Sequence, residues 1–157
     1  MTASRLTICL WFNFNAEQAV RHYLSIFEEG TITSTARYTG DGPGPAGAVM
    51  TIAFEFAGQS FLALNGGPQF PFTPATSIVV HCDNQQEIDR YWELLSEGGA
   101  KGRCGWLTDK FGLSWQVVPR AVERWMTTDP ERATRVMKAV LNMDKLDINE
   151  LERAYGQ

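Results

Sequence analysis

The stretch Asn15-Ala-Glu-Gln-Ala-Val-Arg-His-Tyr23 recurs in degraded form as Asp83-Asn-Gln-Gln-Glu-Ile-Asp-Arg-Tyr91. A slide of 68 positions aligns the two, and the register continues without a gap to Glu29-Gly30 over Glu97-Gly98. Both stretches carry helix punctuation. Asn15 and Asp83 read as N-caps with Gln18 and Gln86 as reciprocal partners, and Gly30 and Gly98 as the left-handed residues that end each helix. The apolar runs Leu6 to Phe14 and Thr76 to Cys82 precede the helices at the same spacing, and Gly58-Gln-Ser-Phe61 is echoed by Gly112-Leu-Ser-Trp115. Strand, helix and closing strand recurring in one order define a paired module.

Working outward, 157 residues make a single domain with an adequate core, its modules at 5–68 and 74–119 and C-terminal helices at 129–155. A formal net charge of −4, with Lys and Arg scattered, argues against nucleic acid as a partner, because a phosphate backbone needs a basic face. No apolar run approaches a membrane span and the N-terminus lacks a signal-peptide pattern, so a cytoplasmic protein without membrane attachment is expected. Cys9, Cys82 and Cys104 are odd in number without a Cys-x-x-Cys pair, which fits reduced thiols.

Leu6 to Phe14 is almost wholly apolar and is expected to be a strand buried on both faces. Ile32 to Tyr38 alternates as a half-buried strand, Gly40 to Gly47 reads as a mobile loop, and Val49 to Phe56 and Ser60 to Asn65 as a tight hairpin. In the second module Ser77 to Cys82 and Leu113 to Pro119 are strands flanking the helix Gln85 to Glu97, with Lys101 to Leu107 a short irregular strand. Beyond Pro119 two helices are expected, one capped by Asp129 with Pro130 in its first turn, the other by Asp147.

On this frame two motifs, Phe61-Leu-Ala-Leu-Asn-Gly-Gly-Pro68 and Cys104-Gly-Trp-Leu-Thr-Asp-Lys-Phe-Gly-Leu-Ser-Trp-Gln116, carry a family resemblance. With Leu10-Trp-Phe-Asn13 and Asp89-Arg-Tyr-Trp-Glu-Leu-Leu95, the chain resembles the PhnB-like branch of the vicinal-oxygen-chelate superfamily from about Arg5 to Ala154, tail included. That group contains glyoxalase I, extradiol dioxygenases and bleomycin-resistance proteins, and the branch is often labelled 3-demethylubiquinone-9 3-methyltransferase. The resemblance implies an α+β fold of paired βαβββ modules forming a cup-shaped mixed sheet, here with a two-helix tail, assembled as a homodimer. A symmetric partner would also cover sheet edges and apolar surface. The methyltransferase label finds no support in the residues: Gly40 to Gly47 is followed by no helix, and its two prolines remove amide donors.

The resemblance further implies four metal ligands, His, Glu or Gln, on the first and last strands of each module. Here the corresponding positions are Ile8, Leu62, Thr76 and Gln116, the last set by the closing motif Asp109-x-x-Gly112. A one-residue slip would present Cys9 and Ser77 instead, and neither rebuilds a site. One neutral amide does not hold a divalent cation, so no superfamily metal and no other cofactor are expected.

Strand alternation from Gln116 places Ser114, Gln116 and Val118 on the cup face, joined by Ile8, Leu10, Phe12, Ser60, Leu62, Leu64, Thr76, Ile78 and Val80. A largely apolar cup with one amide suits a small hydrophobic or aromatic ligand; the competing reading is that these side chains fill the cup as core. The expected ligand contacts are Phe12, Leu62, Leu64, Thr76, Trp106 and Gln116, with Trp106 covering the mouth from a loop. His81 is expected to face its helix, His22 solvent, and Asp109 to cap the turn toward Gly112. Cys104 is open to two readings, activated thiol or ordinary cysteine, and Asn65-Gly66-Gly67 to two more, anion nest or exit turn. The leading function is metal-free binding of a small molecule. The alternatives are an enzyme of the glyoxalase, dioxygenase or methyltransferase type, and an assembly role for the dimer and its C-terminal helices.

Overall fold

A computed structural model describes residues 5–156. The chain divides at Phe72/Thr73 into two compact units, each built on one four-stranded mixed sheet. The first contains β1 (Ile8–Phe12), α1 (Ala16–Ile26), β2 (Thr31–Arg37), β3 (Val49–Phe56) and β4 (Gln59–Asn65), in the sheet order β1-β4-β3-β2. The opening strand lies parallel to the closing strand and the other pairs are antiparallel. A two-residue turn joins β3 to β4, with both Ala57 and Gly58 at positive φ (50° and 76°), the conformation that matches the twist of a tight hairpin.

The helix α1 packs on β3 and β4 through Ala19, Val20, Tyr23 and Ile26. Beneath it four rings stack in sequence, Phe27 on Phe56, Phe56 on Phe61 and Phe61 on Phe54, with centroids 4.6, 4.8 and 5.4 Å apart. Each buried phenyl contributes roughly 1.5 to 3 kcal/mol by removal from water, so this stack is a principal stabilising element of the first unit. Buried Asn65 ties the helix to the sheet: its side chain accepts from the amide of Ala16 at 2.9 Å and donates to Glu17 and to the carbonyl of Val49. The bond to Ala16 satisfies one of the helix's orphan amides, and Asn15 itself makes no side-chain cap. The glycine-rich loop packs around Tyr38: Gly44 lies so close to that ring that an added Cβ would fall 2.3 Å from it.

The second unit repeats the plan with β5 (Ser77–Cys82), α2 (Gln85–Ser96), β6 (Ala100–Lys101), β7 (Trp106–Thr108) and β8 (Ser114–Pro119), ordered β5-β8-β7-β6 with β5 parallel to β8. The expected irregular strand is thus two short strands joined through a turn in which Cys104 and Gly105 both have positive φ. Helix α2 is capped by Asn84, not Asp83; the Asn84 side chain accepts from the amide of Glu87, and Glu87 reaches back to the amide of Asp83 at 2.7 Å. The capping box therefore sits one residue later than expected. The buried positions agree, since Ala19, Tyr23 and Ile26 correspond to Ile88, Trp92 and Leu95 at a spacing one residue longer than the slide of 68.

Three helices follow, not two: α3 (Val122–Thr128), α4 (Pro130–Leu141) and α5 (Ile148–Gly156). Asp129 caps α4 as expected, accepting from the amides of Glu131 and Arg132, and Asp147 accepts from the amide of Glu150 at the start of α5. Trp125, Val136, Leu146 and Leu151 form a buried cluster with Val118 at the end of β8. The tail is tied down further by Gln85, which donates to the carbonyl of Leu146 and accepts from the amide of Ile148. Among the described residues no helix is long and apolar enough to cross a membrane.

Candidate functional site: the open faces of the two sheets

In each unit one face of the sheet carries the helix and the other is open. Asn65 fixes the frame in the first unit, because its side chain reaches the start of α1; Phe12, its partner in the parallel ladder, shares that face and is 2% exposed. The expected assignment of Ile8, Leu10 and Phe12 to the cup is therefore corrected by one residue: Cys9 and Trp11 are the open-face positions of β1, paired with Leu62 and Leu64 of β4. Nor is β1 buried on both faces, since Cys9 is exposed and Ile8 is 41% exposed. Leu62 and Leu64 lie where expected, half-buried, with Thr51 and Ala53 beside them on β3. Trp11 lies close against Gly66, donates its indole N–H to the carbonyl of Gly67 at 2.9 Å, and meets the ring of Phe70 edge-on. Both glycine amides donate to the carbonyl of Phe12, so the Asn65-Gly66-Gly67 segment is an exit turn whose donors are used.

In the second unit the ladder sets three cross-strand rows on the open face. Ser77, Ser114 and Thr108 form a row of hydroxyls; Val79, Gln116 and Trp106 form the next; His81 and Val118 the third. Strand alternation separates this face from that of Trp115, Val117 and Leu107, all buried on the side to which α2 packs. Gln116 and Trp106 are thus brought side by side, with Trp106 on β7 and not in a loop. The Gln116 amide donates to the Ser77 hydroxyl at 3.0 Å, an orientation that leaves its Oε1 as an acceptor on the face. Here too β5 is one residue out of the expected frame. Ile78 and Val80 are not open-face positions, Thr76 precedes the strand and is exposed, and His81 stands exposed beside Val118 instead of facing the helix.

Below this row Asp109 organises the turn into β8. It is 2% exposed and accepts from the amides of Phe111 and Leu113 and from the Trp115 indole, while Gly112 donates to its carbonyl. The turn role expected for it is the one it performs. Cys104 is half-buried at φ 59° with its amide donated to Met143, and the turn accounts for its place. Burial pushes the Cys82 thiol up to about 12, with the neighbouring carboxylates of Glu87 and Asp83 adding to the shift and Arg120 opposing it; burial also raises Cys9. Neither thiol is arranged as a nucleophile.

Among the described residues no group of three or more His, Cys, Asp or Glu side chains could hold a metal ion. The open-face positions of the first and last strands carry a thiol, an indole, leucines, valines, hydroxyls, one amide and one imidazole, that of His81, with no carboxylate among them, a set that does not suit a hard divalent cation.

The comparisons with known proteins agree with this architecture. Residues 4–118 match the family model described as 3-demethylubiquinone-9 3-methyltransferase. The structure of the PhnB protein from Bacillus cereus is 35% identical over 74% of this chain and 99% of its own, with a TM-score of 0.67. A protein from Pseudomonas aeruginosa is 25% identical over 74% and 98%, with a TM-score of 0.60. The fosfomycin resistance protein FosX from Listeria monocytogenes, solved with Mn(II) and sulfate, is 15% identical over 74% and 92% with a TM-score of 0.51, a likeness of fold. None of the curated proteins matches the chain. The repeated βαβββ topology and these neighbours place the protein in the vicinal-oxygen-chelate superfamily, with the glyoxalase and bleomycin-resistance fold. Within it the chain belongs to the 3-demethylubiquinone-9 3-methyltransferase family, its PhnB-like branch. The family match stops at Val118, so α3 to α5 lie beyond it.

Proposed function

We propose that the protein binds a small aromatic or hydrophobic molecule on the open face of the second sheet, without a divalent metal. The observation that carries this reading is the row Val79, Gln116 and Trp106: an apolar side chain, an amide and an indole adjacent on one face. Gln116, its NH2 held by Ser77, presents an oxygen to a ligand hydroxyl or N–H, and the Trp106 ring offers a flat contact for an aromatic group. In the same reading Leu62 and Leu64 give the first sheet's open face an apolar surface for ligand, and the chain works as a cytoplasmic homodimer. The dimer is supported by exposed Ile8, Phe14 and Ile32 at and around the edge strands β1 and β2, apolar surface that a symmetric partner would cover.

A thermal-shift screen of small aromatic hydroxy compounds, run in parallel on the native chain and on Gln116→Leu, tests the site. A ligand at 100 times its Kd stabilises the native chain by about 2.7 kcal/mol, and Gln116→Leu should lose most of that shift. Equal shifts in the two proteins, or none in either, would overturn the reading.

A further inference from the structure

The open face of the second sheet is not alike at its two ends. At one end stand the hydroxyls of Ser77 and Thr108, both half-buried, with that of Ser114, 2% exposed, between them. At the other, Val118 points from the same face as Gln116, two residues further along β8, yet it is only 9% exposed because it belongs to the cluster of Trp125, Val136, Leu146 and Leu151. Val122 and Met126 of α3 pack against the same cluster. The tail therefore stands against the face about 7 Å beyond Gln116, the rise of two residues in a strand.

A second set of contacts links the tail to the row that contains Gln116. The amides of Cys104 and Gly105 donate to the carbonyls of Met143 and Asp144 at 2.8 and 2.7 Å, and the Arg103 guanidinium donates to the carbonyl of Leu141. Gly105 leads directly into Trp106, and its carbonyl accepts from the amide of Val117. The segment after α4 thus holds the turn that aims Trp106, while α3 and α5 back Val118.

The geometry points to the C-terminal tail as the specificity element of this face, with Val118 as an end wall that limits how far a ligand can extend beyond Gln116. The family match ends at Val118, so the helices that back this wall lie outside the shared core. This inference rests on the binding reading proposed above and adds its direction and length. The ligand places its polar atom toward the hydroxyl row and Gln116, lays its ring on Trp106, and runs a short apolar substituent toward Val118. Long-chain substituents meet the tail.

The test uses the full-length protein and the 4-alkylphenols from phenol to 4-octylphenol, with affinity measured by titration calorimetry at each chain length. In the native chain affinity should rise with added carbons and then fall at a definite length. Val118→Ala should move that break longer by at least one carbon, and Val118→Leu should move it shorter. Val122→Ala, in the layer behind the wall, should move it in the same direction as Val118→Ala, and it replaces either variant that does not fold by circular dichroism. A break that stays at the same length in the folded variants, while the phenols still bind, overturns the wall and leaves the binding reading standing. Absence of binding by every phenol to the folded native chain overturns both.

Discussion

The indole N–H of Trp115 donates to the carboxylate of Asp109 at 2.9 Å, and both side chains are almost fully removed from solvent. The other oxygen of Asp109 accepts from two backbone amides, so one carboxylate fixes the turn before β8 and the ring beneath its first residues. The frame of β8, and with it the aim of Gln116, follows from this contact.

Asp109→Asn should destabilise the fold by about 2 to 4 kcal/mol, because an amide replaces charge-assisted acceptance and sets its own NH2 against a donor. Trp115→Phe should cost about 1 to 3 kcal/mol. Urea denaturation of the two single variants and the double variant measures the coupling; additive losses would show that the contact is not a direct one.

Gln116→Leu should leave the unfolding midpoint nearly unchanged, since Ser77 is half-buried and can turn its hydroxyl to water. Affinity for a ligand of the second sheet's face should fall by roughly 1 to 3 kcal/mol, the cost of stranding the ligand's polar atom. A midpoint that drops while affinity holds would make Gln116 a structural residue.

Gly66→Ala should destabilise the first unit by roughly 1 to 3 kcal/mol. A Cβ there would lie 2.3 Å from the Trp11 ring, and the φ of this glycine is not the cause. Thermal unfolding of Gly66→Ala beside Gly66→Ala/Trp11→Ala checks it, because removal of the ring should relieve the steric part of the loss.

Cys82 makes stability depend on alkaline pH. Its folded-state pKa is raised from 9.0 to about 12, so the folded chain holds this proton more tightly than the unfolded chain does. The contribution is complete below the unfolded value and is lost as pH rises from 9.0 toward about 12, at a limiting slope of about 1.4 kcal/mol per pH unit. Stability measured by urea at several pH values should fall less steeply over that window in Cys82→Ala than in the native chain. Parallel profiles would remove this linkage.

The succession of strand, helix and closing strand in each unit and the caps at Asp129 and Asp147 were legible in the sequence, because each carries a local signal, whereas α3 and the division between β6 and β7 were not read. The faces of β1 and β5 were not. Ile8-Cys-Leu-Trp-Phe12 is apolar at every position and Ser77-Ile-Val-Val-His-Cys82 nearly so, and a run without alternation does not say which half meets the helix. The frame then depended on counting back from helix caps, one of which lies at Asn84 and not at Asp83. The frame of β8 had a signal of its own in Asp109-x-x-Gly112, which is why Gln116 falls where it was expected and Phe12 and Thr76 do not. Helix α3 was readable, since Val122, Trp125 and Met126 keep helical spacing, but it is short and has no side-chain cap to announce it.

The pairing of β1 with β4 and of β5 with β8 joins the first strand of each module to its last. Neither module can close its sheet until its final strand has left the ribosome, and each opening strand waits for that event with an unpaired backbone edge. The hairpin of β3 and β4 needs only a two-residue turn, so it can form early and offer β1 a ready template, at a loop-closure cost that grows only slowly with the length of the intervening chain. Synthesis from the N-terminus therefore lets the first module complete itself while the second is still being made, and shortens the time for which two like modules could exchange strands.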